Sequence, residues 1–286
     1  MPHLPKTDAS IHDPEGGMPR LLAIMARLRD PQAGCPWDIA QDFASIAPYT
    51  IEEAHEVADA IARGAWAELE AELGDLLLQT VYHAQMGAEA GYFSFESVVR
   101  GISDKMVARH PHVFGDASRD KTPDQQTTDW EAIKAKERAG RAEGRVLDGV
   151  ALGLPALTRA LKLQRRAARV GFDWPSTDEV LDKIVEEARE LAEAQQTLTQ
   201  DEMAEEFGDL MFVMVNLGRH LGLDAEAALR AANAKFTRRF GRIEDRLAER
   251  GAGPADSDLA EMDALWNRAK AEEKAAKAGS TTIQAV

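Results

Sequence analysis

The residues with the clearest chemical potential are Glu53 and Glu56, in the run Glu52-Glu53-x-x-Glu56, and Glu72 and Asp75, sixteen residues further on. Positions three apart share one face of a helix, so each pair aims two carboxylates the same way. A turn near Gly64 that folds the two segments antiparallel would gather all four. Negative charges brought together raise one another's pKa, so the arrangement is favourable mainly when cations occupy it. Ligation by oxygen alone, without His or Cys, suits Mg²⁺ or Mn²⁺ better than Zn²⁺ or Cu²⁺. Leu76-Leu77-Leu78 follows directly and sets the acids beside a core.

A single Glu-x-x-Glu is usually a solvated helix face, but this one is repeated. Ile51-Glu52-Glu53-Ala54-His55-Glu56 recurs as Val185-Glu186-Glu187-Ala188-Arg189-Glu190, and Glu72-Leu73-Gly74-Asp75-Leu76 as Glu206-Phe207-Gly208-Asp209-Leu210, both at an offset of 134. The gap from Glu56 to Glu72 recurs from Glu190 to Glu206. Lys105-Met106 with Arg109 corresponds to Lys235-Phe236 with Arg239, and Trp130 with Lys134 to Trp266 with Lys270. Each half carries the same ordered set of acids, cations and a tryptophan.

The elements that must position these groups read as helices. Leu21, Ile24, Met25 and Leu28 follow helical spacing, and alternating strand-like runs are absent. The pattern predicts an all-α fold, with helices over 50–63, 67–90, 95–109, 129–142, 156–169, 178–196, 201–221, 224–249 and 258–276. Gly91 and Gly222 are expected as C-terminal stops and Ser94 as an N-cap. The resulting organisation is a disordered start (1–16), a first domain (17–140), a glycine-containing linker closed by Pro155 (141–155), a second domain (156–276) and a frayed tail (277–286).

Composition narrows the class. Forty-nine acidic against 34 basic residues give a formal charge of −15, which disfavours non-specific binding to nucleic acid or an anionic membrane. Cys35 is the only cysteine, the start is polar, and no apolar run nears the roughly 20 residues of a membrane span. A reducing cytoplasm is the expected setting.

With the repeat in place, the sequence resembles the MazG family of nucleoside triphosphate pyrophosphohydrolases in its two-domain form, from about Gly17 to Lys274. Further carriers of the resemblance are Cys35-Pro36-Trp37-Asp38, Arg109-His110-Pro111-His112-Val113-Phe114 and Gly171-Phe172-Asp173-Trp174. The resemblance implies a tandem of four-helix-bundle units, Mg²⁺ dependence, cleavage of a nucleoside triphosphate between its α and β phosphates, and a homodimer. By the same resemblance, the metal ligands fall on Glu53, Glu56, Glu72 and Asp75, and on Glu187, Glu190, Glu206 and Asp209. Lys235, Arg239 and Lys270 would hold the triphosphate, with Lys105, Arg109 and Lys134 as their counterparts. Glu52 and Glu186 either orient or deprotonate the attacking water or have a surface role.

The halves differ where it bears on activity. Asn216 lies seven residues after Asp209 on the same face, placed to hydrogen-bond a nucleotide, whereas the first half has Tyr82 there. This favours the second half, with Glu186, Glu187, Glu190, Glu206 and Asp209, as the catalytic one. Trp37, Phe172, Trp174 and Trp266 are either base-stacking or core aromatics. Three alternatives stay open: a pyrophosphohydrolase selective for dUTP, dCTP or phosphoribosyl-ATP; a first half that senses nucleotides without turnover; and a di-iron carboxylate bundle. The last needs Glu-x-x-His motifs; Glu52-x-x-His55 fits, but the second half has Arg189, and Asp75 and Asp209 stand where further histidines belong.

Overall fold

The computed structural model describes residues 9–123, 125–126, 129–130, 133, 145–197 and 199–283. All regular secondary structure among them is helical. The chain forms two compact units, Met1–Glu137 and Arg138–Val286.

The first unit contains α1 (Gly17–Leu28), α2 (Phe43–Arg63), α3 (Trp66–Glu89) and α4 (Phe95–Arg109), with short helical turns at Ala9–His12, Pro36–Ala40 and Pro111–Phe114. Helix α2 begins seven residues before the predicted start at 50 and runs through Pro48. The reason is a reciprocal cap: the Asp42 carboxylate accepts from the Ser45 amide at 2.8 Å, and the Ser45 hydroxyl accepts from the Asp42 amide at 2.9 Å. At the other end Gly64 adopts φ +68°, its amide donates to Ile61, and the Ala65 amide donates to Ala60. This left-handed stop reverses the chain within two residues, so α2 and α3 pack along each other as a hairpin. Helix α1 packs on α3, and Met25, Ile46, Val81, Tyr82 and Met86 form the buried core. Ser94 caps α4, and Gly91 ends the preceding segment at φ +72°, both as expected. Of the helix predicted over 129–142, only 129, 130 and 133 are described.

The second unit contains α5 (Ala156–Ala168), α6 (Thr177–Thr197), α7 (Gln200–His220), α8 (Ala225–Ala248) and α9 (Leu259–Ile283). Helices α6 and α7 repeat the hairpin of α2 and α3, α5 packs on α7 and α8, and α9 lies along α8. Thr199 and Glu202 cap α7 reciprocally, and Gly222 ends it at φ +70°. The described part of the expected linker, 145–155, packs into this unit: Val150 is buried and the Arg166 guanidinium donates to the Asp148 carbonyl. Helix α9 runs to Ile283, past the predicted end at 276, although Gly279, Ser280, Thr281 and Thr282 in this extension are weak helix formers.

Candidate functional site

In each unit the hairpin brings three carboxylates together. One oxygen from each of Glu53, Glu56 and Glu72 lies within 4.8 Å of the others, and Glu187, Glu190 and Glu206 form the same triad. Two of the acids come from one helix and the third from its partner, so the chain reversal creates the cluster. Asp75 and Asp209 lie outside the 4.8 Å triads. They are nevertheless electrically coupled to them: loss of water raises the Glu53 pKa, and the charges of Asp75, Glu56, Glu72 and Glu52 raise it further. Glu206 is raised in the same way, by desolvation and then by Glu190, Glu187, Asp209 and Glu205. These raised values are the physical sign of carboxylates crowded without full compensation, and the donor set is all hard oxygen. The residues fit a hard divalent cation.

The two triads are not equivalent. Glu187 is 5% exposed, and the Lys183 ammonium ion-pairs with it at 2.7 Å and with Glu186 at 2.8 Å. Those two hydrogen bonds raise the Lys183 pKa, so this lysine is a fixed positive charge beside the acids. In the first unit the corresponding position is Tyr49, whose ring packs edge-on against Trp37. Sequence reasoning missed Lys183, although its spacing one turn before Glu187 was a usable signal. Glu186 is exposed and engaged by Lys183, while Glu52 is exposed.

The proposed phosphate-binding cations sit on other helices. Lys235 and Lys270 are exposed and have no carboxylate partner among the described residues. Arg239 donates to Glu273 at 2.9 Å and lies over the Trp266 ring, 5.4 Å from its centre. In the first unit Lys105 is exposed, and Trp130 donates to the Arg109 carbonyl at 3.1 Å. Lys134 lies outside the described residues.

The contrast between Asn216 and Tyr82 becomes structural. Tyr82 is buried, donates to the Asp38 carbonyl at 2.8 Å and is covered by the Arg29 guanidinium. Asn216 is equally buried but smaller, and beside it opens a cavity of about 450 Å³ bounded by α5, α7 and the Gly171–Trp174 segment. Of the aromatics considered earlier, Phe172 and Trp174 line this cavity. Trp37 and Trp266 pack against Tyr49 and Phe236.

Residues 41–114 and 176–242 match the MazG nucleotide pyrophosphohydrolase domain, and these two segments contain both hairpins. The chain is 50% identical over 256 residues to a nucleoside triphosphate pyrophosphohydrolase of Escherichia coli (strain K12), covering 89% of this chain and 97% of that protein. It is 42% identical over 250 residues to a Thermotoga maritima nucleoside triphosphate pyrophosphohydrolase/pyrophosphatase, covering 87% of this chain and 94% of the relative. A Mycobacterium tuberculosis nucleoside triphosphate pyrophosphohydrolase is 37% identical over 153 residues, 53% of this chain and 45% of that protein.

Proposed function

The chain belongs to the MazG nucleotide pyrophosphohydrolase family, and we propose that it hydrolyses nucleoside triphosphates to the monophosphate and pyrophosphate with Mg²⁺. The observation that carries this reading is the carboxylate triad on a helical hairpin, formed twice with the same residue types. Water adds to the α phosphorus, the bond to the β-phosphate oxygen breaks, pyrophosphate leaves, and one water proton is released. Bound Mg²⁺ supplies positive charge to the reacting phosphates and makes water a better nucleophile there. Glu187, Glu190 and Glu206, with Asp209 beside them, hold that charge in place. Lys183 keeps Glu187 oriented, and Glu186 on the exposed side is the candidate for positioning the attacking water. Lys235, Arg239 and Lys270, with Trp266 under the arginine, receive the β and γ phosphates.

The second unit is the catalytic one in this reading. The first retains its carboxylates but has Tyr82 where Asn216 stands, which supports a metal-binding or nucleotide-sensing role without turnover. We infer a broad base range and a part in clearing aberrant nucleotides from the cytoplasmic pool. We also infer a homodimer, and no partnership with nucleic acid or membrane. No helix among the described residues is long and apolar enough to cross a membrane.

Product analysis with each common NTP and dNTP plus Mg²⁺ tests the reaction. Monophosphate with pyrophosphate, lost on adding EDTA, is expected. Glu206→Gln should abolish turnover with unchanged helical circular dichroism. Diphosphate with phosphate would mean attack at the γ phosphorus and sink the mechanism, and turnover of one triphosphate alone would replace the broad range with a selective enzyme.

A further inference from the structure

We propose that Glu273 is a positioning residue for phosphate recognition: it holds the Arg239 guanidinium by its Nε edge, so that the two terminal nitrogens stand as a fork for the β and γ phosphates. The proposal rests on the hydrolase reading above for the identity of those phosphates.

The contacts divide the guanidinium into a used and an unused part. The Arg239 Nε donates to Glu273 Oε2 at 2.9 Å, and the cation lies over the Trp266 ring, 5.4 Å from its centre. Phe236, on the same helix as Arg239, packs against that ring with centres 5.3 Å apart. One edge and one face of the guanidinium are thereby fixed. Its terminal nitrogens have no partner among the described residues. A guanidinium carries its five N–H donors in one rigid plane, and the terminal pair can meet two phosphate oxygens at once. The Arg239 and Glu273 side chains are only 14% and 13% exposed, so the pair is not one held weakly in open solvent.

The charges leave the fork attractive. Glu273 also accepts from the Arg238 Nε at 2.9 Å, so one carboxylate is shared by two guanidinium groups and the trio keeps a net positive charge. Those two hydrogen bonds hold the Glu273 carboxyl below the ordinary glutamate pKa. Arg239 is oriented without losing its attraction for phosphate.

The repeat singles out the same pair. Trp130-x-x-x-Lys134-x-x-Glu137 recurs as Trp266-x-x-x-Lys270-x-x-Glu273, and Arg109 as Arg239. Glu137 lies outside the described residues. The neighbouring charges do not recur: Arg238 has Ala108 as its counterpart, and Glu272 has Lys136. Glu272 joins α9 to α8 through Arg246 at 2.6 Å, without touching Arg239. A glutamate that only tied the two helices together would have no reason to recur with the arginine, tryptophan and lysine while Glu272 does not.

The test is calorimetric titration of the full chain, in Mg²⁺, with inorganic pyrophosphate and with AMP. Glu273→Ala frees the guanidinium and should weaken pyrophosphate binding about tenfold, within the roughly thirtyfold that the rotamer freedom of an arginine is worth. AMP binding should be unchanged, and alanine is a strong helix former, so helical circular dichroism should be retained. Glu273→Gln keeps an acceptor oxygen for Arg239 and should restore pyrophosphate binding to within about threefold of the wild type. Glu272→Ala, which removes an ion pair between the same helices, should change it by less than about twofold. In turnover the Glu273→Ala loss should fall on the KM for triphosphate and not on kcat, because the fork holds the same phosphates in substrate and leaving group. Unchanged or tighter pyrophosphate binding in Glu273→Ala, an equal loss in Glu272→Ala, an equal loss in Glu273→Gln, or no pyrophosphate binding by the wild type at millimolar concentration would each overturn the proposal. Failure of the hydrolase reading is separate: the wild type would release no pyrophosphate from any triphosphate while the binding difference between it and Glu273→Ala persists.

Discussion

At the scale of residues, the central feature is that Glu53 and Glu206 are held above the ordinary glutamate pKa by desolvation and by neighbouring acids. A carboxylate raised in the folded state makes protonation favour folding. That contribution is fully present below the unfolded value near 4.5 and is lost as pH rises through the folded value. A divalent cation requires the ionised form, so its stabilisation has the opposite trend. In the proposed reading, the stabilisation by Mg²⁺, seen as a rise in thermal midpoint, should be small near pH 4.5 and grow toward neutrality, where it reaches about 2.7 kcal/mol of unfolding free energy at a hundredfold excess over the dissociation constant. A scanning series at several pH values, with and without Mg²⁺, measures it. An increment independent of pH would mean that the ion stabilises the protein without these carboxylates. Lys183 explains part of the asymmetry between the triads, since it compensates the buried Glu187 and has no basic counterpart at Tyr49.

At the scale of elements, the site depends on where helices stop. Gly64 has φ +68° and open space around the position of a Cβ, so Gly64→Ala meets no clash and suffers only the left-handed backbone cost. A loss of about 1 kcal/mol is expected in denaturant titration. The substitution should also weaken the Glu53–Glu56–Glu72 cluster as a unit, because the reversal at Gly64 is what brings α3 back to α2. An unchanged denaturation midpoint would show that packing between the helices sets the turn without help from glycine. The capping boxes at Asp42 and Thr199 set the starts of α2 and α7, and they explain why apolar periodicity alone placed the first of these too late.

At the scale of the whole molecule, the repeat extends to apolar residues that neither unit buries. Ile51 and Val185 are 53% and 47% exposed, and Leu73 and Phe207 are 49% and 55% exposed, at equivalent positions on the two hairpins. Exposed apolar residues kept in the same register on functional helices are the surface a homodimer would cover. Sedimentation equilibrium should give twice the 31.3 kDa chain mass. Leu73→Glu combined with Phe207→Glu should shift it to the monomer with helical content retained. A wild-type monomer at micromolar concentration would rule out the dimer.

Much of this protein was legible from its sequence. The all-helical class, the tandem organisation, the stops at Gly91 and Gly222 and the pairing of Glu53 with Glu56 follow from local rules of spacing and capping, which need no knowledge of distant contacts. Only the tertiary structure decided which acids meet within one coordination distance, because that depends on how two helices rotate against each other. It put Glu72 and Glu206 into their triads and left Asp75 and Asp209 beside them. It also decided that Lys183 engages Glu187, and that a cavity opens beside Asn216 whereas the equivalent Tyr82 is buried and bonded to the Asp38 carbonyl. These are matters of side-chain volume and burial among residues far apart in the chain, which no local pattern encodes.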